Sequence, residues 1–149
     1  MTMAGALSPR LQAIVDKLPL RPGMRVLEIG CGPGAAAREI ARQIGRGWVL
    51  GIDRSATAIQ QAIRVSEYEM SSEILTFRQV AAEELTLHAG EGPFDLVLAV
   101  RVGALDGRHP EAGRRAMERI AVVLAPAGEL WVDGQRRPIS PDGLPSCPK

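Results

Sequence analysis

The stretch VLEIGCGPG, residues 26–34, decides how this chain folds. Three of its first four residues are apolar, and a glycine follows them. Such a short run is typical of a buried strand. Gly30, Gly32 and Gly34 then let the backbone turn tightly and let a ligand approach the main chain. Apolar residues recur at helical spacing after the turn, at Ala37, Ile40, Ala41 and Ile44. We therefore predict a strand, a glycine turn and a helix, the context in which such a turn binds a ligand.

Strand-like and helix-like segments alternate along the rest of the chain. Apolar runs predict four more strands, in WVLGID (48–53), ILTFRQV (74–80), FDLVLAV (94–100) and ELWVD (129–133). Helix starts are indicated at Ser8-Pro9 and Ser55, and a further helix ends near Leu124, before Pro126 and Gly128. This alternation predicts an α/β fold: a doubly wound, mostly parallel sheet of about five strands with helices on both faces.

Asp53, at the end of the second predicted strand, indicates the class of ligand. It lies about 20 residues beyond the glycine turn, where an acid in such folds hydrogen-bonds ribose hydroxyls. The turn also fits the dinucleotide fingerprint, as Gly30-x-Gly32-x-x-Ala35. The residues alone therefore indicate a nucleoside cofactor at the carboxyl edge of the sheet, without separating a pyrophosphate cofactor from another adenosine. The alternative is a tight structural turn with no ligand.

Composition narrows the class of partner. The formal net charge is +1 and aromatic residues make up 3% of the chain, so we expect no nucleic-acid partner. No apolar run approaches the roughly 20 residues of a membrane span, and no secretory signal is visible at the N-terminus. Cys31 and Cys147 are too few and too poorly spaced for a disulfide or zinc framework. We expect a cytoplasmic protein with no membrane partner and no metal site.

These segments together resemble the class I S-adenosylmethionine (SAM)-dependent methyltransferases. VLEIGCGPG is similar to motif I of that family, which places an acid two residues before the first glycine, and GIDRS (51–55) is similar to its second motif. AAEEL (81–85), FDLVLAV and VLAPAGELWVD (123–133) resemble three later motifs in the same order. The resemblance implies a Rossmann-like sheet of order 3-2-1-4-5, with SAM as cofactor and S-adenosylhomocysteine as product.

The resemblance also assigns cofactor contacts by position. Glu28 would orient the methionine amino end through the loop, Asp53 would hold the ribose hydroxyls, and Arg54 would lie against the adenine. The other implied positions supply backbone contacts from the loop, flank the adenine edge or lie beneath the methionine: Gly30, Cys31, Gly32 and Gly34; Ala82 and Glu83; Val100 and Arg101. The family often has an acid where Ala81 stands, so its contact to the adenine amino group is missing or Glu83 replaces it.

The segment RVGALDGRHP, residues 101–110, follows the fourth predicted strand and supplies the candidate catalytic residues. His109 is the candidate base, and the alternative is a histidine that is solvated or caps the next helix. Arg101 or Arg108 is the candidate for binding an acidic substrate, and the alternative is a surface arginine. No Asn/Asp-Pro-Pro-aromatic sequence follows strand four, which disfavours the amino-methylating nucleic-acid and glutamine branches of the family. We therefore expect a small-molecule acceptor.

The C-terminal end departs most from the family, whose sheet normally has seven strands and closes with an antiparallel hairpin. Residues 135–149 carry four prolines and are predicted to form an irregular tail behind a domain of residues 1–134. We expect no strand pair there, so that strand five is a bare edge. Either the tail or a second copy of the chain, in a homo-oligomer such as a homodimer, is predicted to cover it.

A methyltransferase acting on a small molecule is thus the predicted function. A non-catalytic or partner-dependent SAM-binding protein is one alternative, suggested by the missing hairpin. An NAD(P)-dependent oxidoreductase is the other, and Glu28 with the Gly30-x-Gly32-x-Gly34 spacing counts against it.

Overall fold

The structure is a computed structural model that describes residues 6–139, in which helices and strands alternate. The strands are β1 Arg25–Ile29, β2 Trp48–Asp53, β3 Leu75–Gln79, β4 Phe94–Ala99, β5 Leu124–Val132 and β6 Gln135–Arg137. The helices are α1 Pro9–Asp16, α2 Ala35–Ile44, α3 Ala56–Val65, α4 Glu67–Ser71 and α5 Pro110–Val123, with a 3₁₀ turn at Ala82–Glu84. The sequence did not predict α4, since none of its residues is buried and no apolar repeat marks it.

β1 lies near the centre of a six-stranded sheet of order β3-β2-β1-β4-β5-β6. Strands β1 to β5 run parallel, and β6 is antiparallel. Side chains of β1 alternate between the faces, with Val26 packed toward α1, α2 and α3 and Leu27 toward α5. Since Ile29 pairs with Ile52 of β2 and Ala99 of β4, these strands end at one edge. The predicted doubly wound order 3-2-1-4-5 is confirmed.

Two of the predicted helix starts have the capping geometry that their serines indicate. Ser8 Oγ accepts a hydrogen bond from Leu11 N–H at 3.2 Å, and Ser55 Oγ accepts one from Ala58 N–H at 3.2 Å. No helix within residues 6–139 is long and apolar enough to cross a membrane.

A hairpin between β5 and β6 corrects the prediction of an irregular tail behind a bare edge. Residues 135–137 pair antiparallel with residues 130–132, and the turn is Asp133-Gly134, with φ of 51° and 85°. A two-residue type I′ hairpin needs positive φ at both positions, and Asp-Gly is its sequence signal. The prolines do not prevent the strand because the first of them, Pro138, follows β6. The prediction that the tail covers the edge of strand five is confirmed for residues 135–137.

The start of β5 also differs from the prediction. β5 begins at Leu124, directly after α5, and not at Glu129 beyond the proline. Its pairing with β4 shifts register between Phe94 and Leu96. Such an irregular stretch tolerates Pro126, which has no N–H to donate to a regular ladder. The remainder of the predicted tail, residues 140–149, lies outside the described residues.

The turn between β1 and α2 uses two of its glycines in different ways. Both have positive φ, 53° at Gly32 and 85° at Gly34. A Cβ on Gly34 would lie 2.7 Å from Cζ of the buried Phe77, whereas a Cβ on Gly32 would meet no atom within 4 Å. Packing therefore requires glycine at position 34, and Gly32 presents open main chain at the edge of the sheet.

Gly34→Ala should destabilise the protein more than Gly32→Ala. The left-handed φ penalises alanine at both positions by about 1–2 kcal/mol. Overpacking against Phe77 adds about 1–3 kcal/mol at position 34 alone. Urea unfolding of the two variants measures the difference in free energy of unfolding, and equal losses would contradict the packing role of Gly34.

Candidate functional site

A cavity of about 540 Å³ opens at the edge of the sheet where the parallel strands end. Eight candidate site residues from the sequence line it: Gly30, Asp53, Arg54, Ala82, Glu83, Arg101, Arg108 and His109. They come from four separate loops and the start of α5, which the order of the strands brings together. A larger cavity of about 610 Å³ lies between β5, β6 and the end of α5 and contains none of the predicted site residues.

Hydrogen bonds within the glycine loop and to the end of β2 hold the loop in place. Cys31 N–H donates to Ile52 O at 2.9 Å, and Gly34 N–H donates to Cys31 O at 3.0 Å. Gly32 N–H donates to Asp53 Oδ2 at 2.9 Å. The N–H groups of Cys31, Gly32 and Gly34 are thus engaged within the protein, and the backbone contacts that the resemblance implied for the loop stay a prediction. A ligand that approaches the loop meets the Cα of Gly32, where no side chain stands.

Asp53 is fixed at the end of β2 by both loops that flank it. Its Oδ2 accepts from Gly32 N–H, and its Oδ1 accepts from Ser55 N–H at 2.9 Å. Each carboxylate oxygen can accept a further hydrogen bond, and the half-buried side chain lines the cavity. Asp53 therefore keeps acceptor capacity at the cavity wall, and its predicted contact with ribose hydroxyls stays a prediction. Arg54 is exposed and lines the same cavity.

Glu28 lies behind the loop, in the interior. Its side chain is 4% exposed, and its Oε1 has no hydrogen-bond partner among the described residues. Burial raises the pKa of Glu28 to about 8; the Ala37 N–H and the Arg38 guanidinium act to lower it, and the Asp53 charge acts to raise it further. A partnerless buried carboxyl oxygen is costly unless a ligand donates to it. Glu28 is not among the residues that line the cavity, so its partnerless oxygen is a candidate acceptor for a ligand N–H only behind the glycine turn.

Arg38, which the sequence analysis missed, braces the loop from α2. It is 6% exposed, and its Nη1 donates to Pro33 O and to Ser66 Oγ, each at 2.8 Å. The guanidinium thus joins the glycine loop to the junction of α3 and α4. Arg38 occupies the charged position of an amphipathic repeat, so nothing in the sequence distinguishes it from a solvated arginine.

The segment after β3 forms the part of the cavity wall beside Asp53. Val80 N–H donates to Asp53 O at 3.0 Å, which ties this segment to β2. Ala81, Ala82 and Glu83 line the cavity, Ala82 being buried and the other two half-buried. Glu83 is thus the carboxylate of this part of the wall. The family often has its acid two positions earlier, where this chain has Ala81.

The loop after β4 places the candidate catalytic residues in the cavity wall. Arg101 is exposed, has φ 56°, and its N–H donates to Asp133 Oδ1 at 2.8 Å. His109 occupies the N-cap position of α5 but its side chain makes no capping hydrogen bond. Val100, in contrast, does not line the cavity and packs against the core on the face of α1–α3.

Cys31 contributes main chain and a small buried side chain to the site. It is 6% exposed, and burial raises the pKa of its thiol well above the usual range, so the thiolate nucleophile does not form. Cys147 lies outside the described residues. Within residues 6–139, no group of three or more His, Cys, Asp or Glu side chains could hold a metal ion.

Comparisons with known proteins place this geometry in a family. Residues 26–128 match the family described as "Methyltransferase domain". The chain is 37% identical over 121 residues to a ubiquinone biosynthesis O-methyltransferase of Alkalilimnicola ehrlichii, covering 81% of this chain and 45% of that protein. It is 30% identical over 120 residues to a sterol 24-C-methyltransferase of Yarrowia lipolytica, covering 78% of this chain and 29% of that protein.

A solved structure shows the same fold. The SAM-dependent methyltransferase from Geobacter sulfurreducens, in complex with S-adenosyl-L-homocysteine, superposes with a TM-score of 0.66 at 24% identity, covering 86% of this chain and 48% of that one. The chain thus spans less than half the length of each of these three proteins. Because the family match takes in the glycine loop, Asp53 and every element from β1 to α5, the chain belongs to the methyltransferase domain family.

Proposed function

We propose that this chain binds SAM in the 540 Å³ cavity and transfers its methyl group to a small-molecule acceptor, leaving S-adenosylhomocysteine. The observation that carries the proposal is Glu28, a buried carboxyl with a partnerless oxygen behind an open glycine turn. Membership of the methyltransferase domain family supports it, as do the O- and C-methyltransferases among the relatives.

The residues around the cavity fit SAM as a ligand. Asp53 has oxygen lone pairs for the ribose hydroxyls, and Ala82 with Glu83 forms the wall for the adenine. Glu28 would accept from the amino group of the methionine end, behind the loop. Gly32 allows close approach because no side chain stands there.

Bound SAM would supply a methyl group that its sulfonium already activates. The chain's own residues then need to hold the acceptor in line and exclude water. His109, in the cavity wall, is proposed to take the proton of an acceptor that must lose one, and Arg101 is proposed to bind the acceptor.

A SAM-binding protein that depends on another polypeptide segment for its acceptor site is the second candidate. One observation favours this candidate: the chain spans only 29% and 45% of the lengths of the two relatives named above. Tight S-adenosylhomocysteine binding without turnover on any acceptor would support this candidate.

We also propose a cytoplasmic homodimer. The reduced thiol of Cys31 is compatible with a reducing compartment, and the outer edge of β6 pairs with no other strand among the described residues. Sedimentation equilibrium tests the dimer, and a monomer at every concentration would overturn it.

Calorimetric titration with S-adenosylhomocysteine, with NAD as control ligand, tests the proposed function. We expect micromolar binding of S-adenosylhomocysteine, about −8 kcal/mol, and no binding of NAD. Binding of NAD instead would revive the oxidoreductase alternative. Binding of neither ligand would overturn the proposed site.

Asp53→Ala should weaken S-adenosylhomocysteine binding by about 1–3 kcal/mol, because ribose hydroxyls would lose their acceptor. Asp95→Ala is the matched control. Asp95 Oδ2 accepts from Arg25 N–H at 2.9 Å at the opposite edge of the sheet, so its loss removes a comparable backbone bond far from the cavity. Unchanged affinity at Asp53, or an equal loss in both variants, would mean that the ribose is held elsewhere.

Glu28 should couple cofactor binding to pH. With a pKa of about 8 it is protonated in the free protein near neutral pH, and a bound ammonium favours the carboxylate, so binding releases a proton. The affinity for S-adenosylhomocysteine should therefore rise between about pH 6 and pH 8. Glu28→Gln should flatten this rise because an amide does not titrate. Calorimetry in two buffers of different ionisation enthalpy counts the protons, and identical pH profiles for the two proteins would contradict the assignment.

A further inference from the structure

Two residues in the left-handed conformation meet at the ends of β4 and β5. Arg101 has φ 56° and Asp133 has φ 51°, and neither is glycine. Arg101 N–H donates to Asp133 Oδ1 at 2.8 Å, while Asp133 N–H donates to Ala99 O at 2.9 Å. Such strained backbone persists where the surrounding structure holds it in place, and it concentrates at functional sites.

The turn requires the left-handed conformation of Asp133, whereas no turn requires that of Arg101, which the hydrogen bond to Asp133 holds in place. Asp133 is the first central residue of the type I′ turn, where positive φ is required. At Arg101 a glycine or asparagine would adopt the same φ at less cost. The arginine side chain, which lines the cavity, forms no ion pair with any residue between 6 and 139. The strained backbone of Arg101 therefore places a guanidinium with no ion-pair partner among residues 6–139 at the cavity wall.

Arg108 lies beside Arg101 and is held by its own partners. Its Nε donates to Asp106 Oδ2 at 2.8 Å, and its Nη2 lies 3.5 Å from Arg101 O. Both arginines line the cavity together with His109. The acidic side chains that line it, Asp53 and Glu83, belong to the opposite half, which the proposed function gives to the cofactor. The half of the lining formed by the loop after β4 is therefore basic, since Asp106, which pairs with Arg108, and Asp133 do not line the cavity.

We propose that this basic half binds an oxyanion of the methyl acceptor, a carboxylate or a phosphate, with Arg101 as the contact, Arg108 beside it and Asp133 as the residue that positions Arg101. A planar guanidinium binds such oxyanions through paired N–H donors. The inference rests on the proposed function, since it names the class of acceptor for the same site.

The experiment first measures S-adenosylhomocysteine binding and then titrates three probes, with and without that ligand. The probes are benzoate, phenyl phosphate and the neutral benzamide, followed by ligand-observed NMR. We expect at least one of the two anions to bind and benzamide not to bind. Failure of S-adenosylhomocysteine to bind counts against the proposed function, whereas equal behaviour of the anions and benzamide overturns this inference alone. The stronger anion distinguishes carboxylate from phosphate.

Arg101→Asn separates the role in binding from a role in folding. Asparagine tolerates φ 56°, so the melting temperature should hold or rise, while the affinity for the bound anion should fall at least fivefold. Arg119→Gln, on an exposed position of α5, is the matched control and should change neither. An anion affinity that Arg101→Asn leaves unchanged would overturn the proposal.

Two variants of Asp133 test whether this residue positions Arg101. Asp133→Asn keeps an acceptor oxygen and tolerates the turn, so it should retain most of the anion affinity. Asp133→Ala loses the acceptor for Arg101 N–H and should weaken anion binding severalfold. Equal anion affinity in the alanine and asparagine variants would refute the positioning role, even if the alanine variant is less stable.

Discussion

The hydrogen bond from Gly32 N–H to Asp53 Oδ2 is the contact on which the site depends. It joins the loop after β1 to the end of β2, so the glycine turn and the acid cannot move independently. Parallel pairing of β1 with β2 makes the contact possible, because it brings the two carboxyl ends to one edge. Arg38 supports the same loop from behind through Pro33 O. The loop backbone is therefore held by two charged side chains, Asp53 in front and Arg38 behind.

Charged side chains are distributed unevenly around the cavity. Acidic groups, Glu28 in the interior and Asp53 at the edge, lie on the side of the first two strands. On the side of β4 and α5 the cavity lining carries Arg101 and Arg108 and no acid, whereas Arg54 accompanies Asp53 on the other side. A cofactor with a cationic amino end and an anionic acceptor would each meet complementary charge in this arrangement. The division follows the strand order, since the loops after β1 and β2 lie on one side of the cavity and the loop after β4 on the other.

The Asp133-Gly134 turn serves two purposes. It closes the β5–β6 hairpin, and it offers the Asp133 carboxylate to the backbone of Arg101. The prediction of a bare fifth strand was wrong because it counted prolines and overlooked the Asp-Gly pair that precedes them. The Asp-Gly pair predicts the turn that pairs β6 with β5, and Asp133 in this turn contacts Arg101 at the cavity wall.

The sequence by itself determined the alternation of strands and helices, the glycine turn with its distal acid and the helices that serine caps begin, because these features rest on local periodicity and short-range geometry. The strand order came from the resemblance to the family. The sequence also determined the family, through the order of its motifs. Only the tertiary structure decided which groups are buried or strained. Arg38 and Glu28 are charged positions whose burial depends on what packs over them, and the left-handed backbone of Arg101 depends on a carboxylate 32 residues away in the chain. Such long-range contacts leave no periodic trace in the sequence.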